Sequence, residues 1–292
     1  MGWARPQSAR SRGWTSAEVA IILACVVGLL ALVFAFGLAP SIGRSRSVGH
    51  QAVAGAQVRS TQFALIGWAQ SHNGRFPLPS AVDLADATVS EAGRAKDTSA
   101  NIASILVWER LIVPEVLVDP NDKGRVSVRS GYSTSNPASA VRPAEALWDP
   151  AFSADFTSAK GGNLSWAMRQ PGGGRLEHWG LSSSASRPMV SSRGAEMTGI
   201  SGTPTKPRPD WANRRSIQLR RGEWDGNVAF GDGHVQFVTS LFVHGSARVN
   251  CALLPPDALF FDEPTDPESK NDYLGIFTRA GDSLADFRAI WD

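Results

Sequence analysis

Two places in this 292-residue sequence bring chemistry-bearing side chains together. In the first, Trp14-Thr15-Ser16-Ala17-Glu18, a carboxylate stands at the start of the apolar run Val19 to Ala39. A charge at the edge of a membrane segment is costly and calls for a partner, so Glu18 is a functional candidate. The plainer account is an interfacial tryptophan followed by a carboxylate that suits the positive end of a helix. The second place is Asp232-Gly233-His234, an acid and an imidazole either side of a glycine. Two ligands on one turn are too few for a metal, and His50, His72, His178 and His244 show no ligand spacing. Asp119, Asn121 and Gly124 begin like a calcium loop, but Lys123 and Ser130 occupy its fifth and twelfth positions. No GxSxG, HExxH or P-loop pattern occurs. Asp232 and His234 are therefore expected to be a turn acid and a strand-edge histidine, with no cofactor or metal.

Composition narrows the field. Lys and Arg total 29 against 27 Asp and Glu, a net +2, without the basic excess of a nucleic-acid binder. Two cysteines exclude a disulfide-rich scaffold and a four-cysteine zinc site. The balance of 42% hydrophobic and 19% charged residues is that of a globular chain. Gly (28) and Pro (18) follow no period, which excludes collagen-like and repeat architectures.

The elements that would position Glu18 start with the run Val19 to Ala39, 21 residues without a charge. As a helix it covers about 31 Å, close to the hydrocarbon thickness of a bilayer. A cleaved secretory signal is shorter, and its best exit here, Gly37-Leu38-Ala39, is followed by Pro40. A lipid-attachment box at Ile22 to Cys25 would leave 14 more apolar residues after the cysteine. The run reads as a membrane span. Arg5, Arg10 and Arg12 before it face Arg44 and Arg46 after it, a small bias that places the leader inside.

The order of basic leader, Gly13, Trp14, Glu18 and apolar run resembles the class III signal of type IV prepilins and type II secretion pseudopilins. That resemblance implies cleavage after Gly13 by a prepilin peptidase, N-methylation of Trp14, and Glu18 as the fifth mature residue. Trp14 stands where the family usually has Phe, and Ser16-Ala17 replace its usual bulky apolar pair. In a filament the Glu18 carboxylate would pair with the Trp14 ammonium of the neighbouring subunit, relieving two desolvation costs together.

Beyond Pro40, which is expected to kink or interrupt the helix, Val48, Ala52, Gly55-Ala56, Val58, Gln62, Leu65-Ile66 and Ala69 recur at three- and four-residue spacing. The spacing predicts a helix continuing to Ser71, with Arg44, Arg46 and Arg59 on its wetter side. His72 to Pro77 reads as helix end, turn and extended exit, with His72 exposed. A second helix is expected over Asn101 to Leu111, a strand at Val116 to Val118, and a turn at Asp119 to Gly124. Residues 127–216 read as short strands, such as Asn163 to Met168, between long loops. Gly226 to Val238 reads as a hairpin with a two-residue turn at Asp232-Gly233. That register pairs Phe230 with Val235 and Val228 with Phe237, all four on one face.

The hairpin segment also resembles a pseudopilin-like family abundant in planctomycetes, whose motif is a His, nine residues, then Asp-Gly. Asn227, Asp232, Gly233, His234 and Val235 match it, whereas Gly222 stands in the place of the motif's His. ALIGWAQSHNGRFP, VPEVLVDPND (with Asp119 in the family's Cys place), NLSWAMRQP and the ending NDYLGIFT extend the resemblance. Cys25 in the span and Cys251 in the head are not expected to pair. Nine acids against three bases between Asp257 and Asp292 read as a solvated surface, with an oxygen-rich calcium position left open.

The expectation is a non-enzymatic α+β protein with a pilin-like architecture, a long N-terminal helix packed on an antiparallel sheet. Its parts are a leader (1–13), a transmembrane helix (14–39), a soluble helical continuation (40–72) and a periplasmic head (73–292). It would be a structural subunit of a type II secretion pseudopilus or type IV pilus, single-pass in the inner membrane. Its partners would be prepilin peptidase and other pilin-like subunits, with no nucleic acid. The rival readings are a signal-anchored periplasmic binding module and a membrane-tethered hydrolase.

Overall fold

The computed structural model describes residues 15–33, 39–122, 124–203, 206–213, 216, 218–220, 222–243, 257–263 and 270–292. Gly13, Trp14, His244 and Cys251 lie outside these residues. The chain divides into two compact units, Met1–Gly49 and His50–Asp292.

In the first unit, helix α1 spans Ser16–Val33. Its apolar side chains are exposed around the whole circumference, among them Ile21, Leu23, Leu29 and Leu30. A helix apolar all round is suited to a lipid or protein surround. Its 18 residues rise about 27 Å, and the rest of the predicted span includes residues 34–38, which are outside the described set. Among the described residues no helix is long and apolar enough to cross a membrane. Helix α2, Ala39–Ser71, has Pro40 in its first turn, where a missing N–H costs no helix bond.

In the second unit α2 ends as the periodicity predicts. Ala54, Val58, Thr61, Leu65 and Trp68 are buried at three- and four-residue spacing, while Arg59 is exposed. Val48 and Ala52, expected on the same stripe, are exposed. Asn73 and Gly74 adopt positive φ (52° and 74°), and the Gly74 N–H donates to the Ala69 carbonyl at 2.9 Å. These are the marks of a left-handed C-terminal cap, which frees the chain to leave extended. A short helix, α3 (Pro79–Val82), follows, and then α4 (Ser99–Trp108). The expected start at Asn101 is two residues late, because Thr98 caps α4 by accepting from the Asn101 N–H at 3.3 Å. The segment expected as a strand at 116–118 is instead largely a 3-10 turn, Pro114–Leu117, with proline in its first turn.

Ten strands follow among the described residues: β1 (Trp166–Arg169), β2 (Pro188–Ser192), β3 (Met197–Thr203), β4 (Lys206–Trp211), β5 (Leu219–Arg220), β6 (Glu223–Trp224), β7 (Gly226–Phe230), β8 (Val235–Val238), β9 (Leu274–Arg279) and β10 (Arg288–Ile290). Six form one antiparallel sheet in the order β10-β9-β1-β2-β7-β8. The pairs β3–β4 and β5–β6 form separate two-stranded ribbons. The protein is thus α+β, with an N-terminal helix and a six-stranded antiparallel sheet.

The sheet is covered on both faces. One core joins Val58, Leu65 and Trp68 of α2 and Ile102, Ile105 and Leu106 of α4 to Met168, Val190 and Ala229 of the sheet. The other joins Ala167, Val228, Phe230 and Leu274 to Phe242, Leu259 and Phe260. Consequently β7 is buried at every position, as a strand with two covered faces must be. The expectation of a solvated acidic end is corrected by the same topology. β9 enters the sheet between β10 and β1, carrying Asp272 into the interior, and Asp257 and Asp292 are buried as well.

Candidate functional site

At the start of α1, Glu18 and Thr15 bind each other. Glu18 Oε2 accepts from the Thr15 N–H at 2.8 Å and from its hydroxyl at 3.0 Å, while the Glu18 N–H donates to Thr15 Oγ1 at 3.3 Å. This is a capping box, in which residues three apart satisfy each other's orphan amides at a helix start. The Thr-x-x-Glu spacing of such a box is present in the sequence as Thr15-Ser16-Ala17-Glu18. Glu18 therefore has a local structural task in addition to any partner. Cys25 is exposed on the same helix as a free thiol.

The hairpin at Asp232-Gly233 exists, but its register differs from the expectation. Ala229 pairs with Val235 and Asn227 with Phe237, one residue out of the predicted alignment. The Phe230 N–H donates to the His234 carbonyl at 3.0 Å and the Gly233 N–H to the Phe230 carbonyl at 2.9 Å. The loop is thus three residues long, Gly231 to Gly233, with Gly233 at φ +88°. The slip sends neighbouring side chains to opposite faces. Val228 and Phe230 join the core beyond the sheet, Ala229 and Val235 pack toward α2, and Phe237 is 38% exposed.

Each predicted hairpin residue has a structural role. Asp232 Oδ1 accepts from the His234 N–H at 3.0 Å and lies 2.6 Å from His234 Nδ1. Slight burial raises the Asp232 carboxyl, but the His234 N–H and ring lower it further, leaving it below the usual carboxylate range. The His234 ring stacks on Phe230 at 4.3 Å. A Cβ on Gly233 would stand 3.1 Å from Phe63 of α2, so the turn tip rests against that helix. Asn227 ties sheet to helix from the other end of β7. Its Nδ2 donates to the Gln51 carbonyl at 3.3 Å, and its Oδ1 would lie 3.0 Å from a Cβ at Gly55. Among the described residues no group of three or more His, Cys, Asp or Glu side chains could hold a metal.

Two clefts were not legible in the sequence. One, of about 480 Å³, lies where α2 ends and is lined by Trp68, His72, Phe76, Leu176 and Trp179. Trp68 and His72 stack at 3.7 Å, one helical turn apart, and Phe76 meets Trp179 edge-on at 5.6 Å. Ser71 Oγ is 3.0 Å from His72 Nδ1 there, but Nδ1 also lies 2.8 Å from the Trp68 carbonyl. A ring nitrogen that donates to a carbonyl cannot also take a proton from the serine, so this pair is not a nucleophile with its base. The other cleft, about 560 Å³, is polar and includes Glu91, Asn101, Asp155 and Arg279.

The buried charges are the largest feature the sequence concealed. Arg193 donates to Asp292 Oδ1 at 2.6 Å and to Asp122 Oδ1 at 3.0 Å, and its guanidinium lies 4.4 Å over the Phe156 ring. Arg175 donates to the Asn271 carbonyl at 2.8 Å and to Asp262 at 2.5 Å. Arg169 is bound to Asp272, and both are wholly buried. The Asp257 carboxyl, which accepts from the Asp272 N–H at 2.6 Å, is pushed up to about 8 by burial and then by the Asp272 charge.

Comparison of the chain with protein-family models, with curated proteins and with solved structures finds no match.

Proposed function

We propose that this chain is a structural subunit of a type II secretion pseudopilus or type IV pilus-like filament. In this reading prepilin peptidase cuts after Gly13, Trp14 becomes the N-methylated first residue, and the apolar N-terminal helix holds the protein in the inner membrane with the head in the periplasm. The observation that carries it is α1: apolar on all sides, with one carboxylate, Glu18, held in its first turn. Such a helix is suited to lipid before assembly and to other apolar helices after it. The continuation of α2 packed against an antiparallel sheet supports a pilin-like head.

Glu18 uses Oε2 for both Thr15 bonds, and Oε1 makes no hydrogen bond among the described residues. One carboxylate can therefore cap its own helix and accept from the amine of a neighbouring subunit. Mass spectrometry of protein co-expressed with a prepilin peptidase tests the processing step. A mature chain beginning at Trp14, with an added methyl group, is expected; an intact Met1 would reject the reading. The aromatic cleft at the end of α2 favours a second reading, a signal-anchored binding module that never assembles. That alternative predicts an uncut leader.

A further inference from the structure

We infer that the aromatic cleft at the end of α2 is a binding site for a small aromatic carboxylate, its ring inside the cleft and its acid on Arg75 at the mouth. The cleft measures about 480 Å³, room for about 16 water-sized groups and so for a bicyclic ring. A volume of this order, lined by apolar and aromatic side chains with few polar groups, is the usual form of a small-molecule site. Trp68, Phe76 and Trp179 are its buried lining, and Leu78, Val82 and Leu176 are half-buried around them.

Backbone bonds fix the frame of the cleft. Arg75 bridges Gly180, the Phe76 N–H donates to the Trp179 carbonyl at 3.3 Å, and the Leu181 N–H donates to the Gly74 carbonyl at 2.8 Å. A Cβ at Gly180 would run into the Gly74 carbonyl, so this close approach needs glycine. The Trp179 indole N–H donates to the Pro77 carbonyl at 3.2 Å, which sets the ring. α3, which lies between Leu78 and Asp83, is tied down from outside the cleft. There Asp97 accepts from the Ser80 N–H and hydroxyl, each at 2.9 Å.

Charge and ring geometry select the ligand. Arg75 is exposed, and its Nη1 donates to the Leu176 carbonyl at 3.0 Å, which ties the guanidinium to a second lining residue. Among the described residues Arg75 makes no ion pair, and no carboxylate lines the cleft. A cation without an acid, beside an apolar space, is complementary to an anion with an apolar body. The guanidinium fork suits a carboxylate. The lining favours a ring over an alkyl chain. His72 lies flat on Trp68, with 4° between the planes, and Phe76 meets Trp179 edge-on. These are the two arrangements that aromatic pairs prefer, and a planar guest extends them.

The test is calorimetric titration of the full chain in detergent with naphthoate. Saturable binding is expected for the wild type and is expected to be lost in Ala81→Trp, which puts an indole at an exposed lining position with the circular dichroism unchanged. No binding, or equal heat from the two proteins (partitioning into micelles), overturns the site. Arg75→Gln keeps a donor for the Leu176 carbonyl. It is expected to weaken naphthoate at least about tenfold, as loss of a charge-assisted hydrogen bond requires. Naphthalenemethanol, the uncharged counterpart, is expected to bind more weakly than naphthoate and equally to the wild type and Arg75→Gln. Naphthalenemethanol as tight as naphthoate overturns the role of Arg75, and octanoate as tight as naphthoate overturns the preference for a ring. Binding here does not depend on cleavage at Gly13, so this titration and the mass of the mature chain fail separately.

Discussion

Glu18 Oε2 and the Thr15 N–H lie 2.8 Å apart at the head of α1, and the Thr15 hydroxyl reaches the same oxygen. A carboxylate at the start of an apolar helix thus serves its own helix before it serves any neighbour. Local capping and the proposed contact with another subunit can be separated by mutation because one depends on hydrogen-bond geometry and the other on charge.

Glu18→Gln keeps a capping side chain but removes the charge. It is expected to leave the chain folded and membrane-associated while abolishing its incorporation into sheared filaments, scored by immunoblot. Thr15→Ala loses the cap hydroxyl, costs about 1 kcal/mol of helix stability, and is expected to incorporate. Equal incorporation of Glu18→Gln and wild type would remove the charge from the assembly argument.

Gly233→Ala places a side chain at φ +88° and within 3.1 Å of Phe63. The backbone strain and the contact together are expected to cost about 1–3 kcal/mol. Asp232→Ala, which removes a largely exposed pair of bonds to His234, is expected to cost less, about 0.5–1.5 kcal/mol. Urea unfolding of the two variants gives the order.

Asp257 carries the clearest pH dependence. Its carboxyl is raised from 3.8 to about 8 in the folded chain, so between those values the folded state holds a proton that the unfolded state has released. Its contribution to stability is therefore fully present below about pH 4 and is lost as pH climbs to about 8. Asp257→Asn can still accept from the Asp272 N–H. It is expected to flatten the fall in stability across this window and to exceed the wild type by at least about 1 kcal/mol at pH 8. A wild-type curve no steeper than that of Asp257→Asn would show the carboxyl to be ordinary.

Arg193→Ala strands the Asp122 and Asp292 carboxylates, which are 2% and 1% exposed beside it. Loss of one partner from a buried ion pair costs about 3–5 kcal/mol, and this variant also loses the stack on Phe156. Thermal unfolding is expected to show a lowered Tm, with partial recovery in Arg193→Lys.

What was legible in the chain itself was local. The end of α2 at Ser71 followed from apolar spacing and from Asn73-Gly74, because helix periodicity and the left-handed cap depend on residues within one or two turns. The existence of the hairpin was equally local, since Asp-Gly between alternating apolar residues demands a reversal. The order of Arg5, Arg10, Arg12, Gly13, Trp14 and Glu18, on which the proposed processing rests, is likewise read within one short stretch of sequence.

Tertiary structure decided the rest. Whether the β7–β8 loop holds two residues or three depends on which face Val228 and Ala229 bury, and here a core exists on both faces, built partly from α2 and partly from residues 241–243 and 258–260. The acids after Asp257 looked solvated because their cations lie far away in sequence: Arg169 is 103 residues from Asp272, and Arg193 is 99 from Asp292. Charge balance within a window cannot see such pairs. Antiparallel pairing of β1 with β9 brings Arg169 to Asp272, and the low dielectric of the interior then makes each cation a condition for burying its acid.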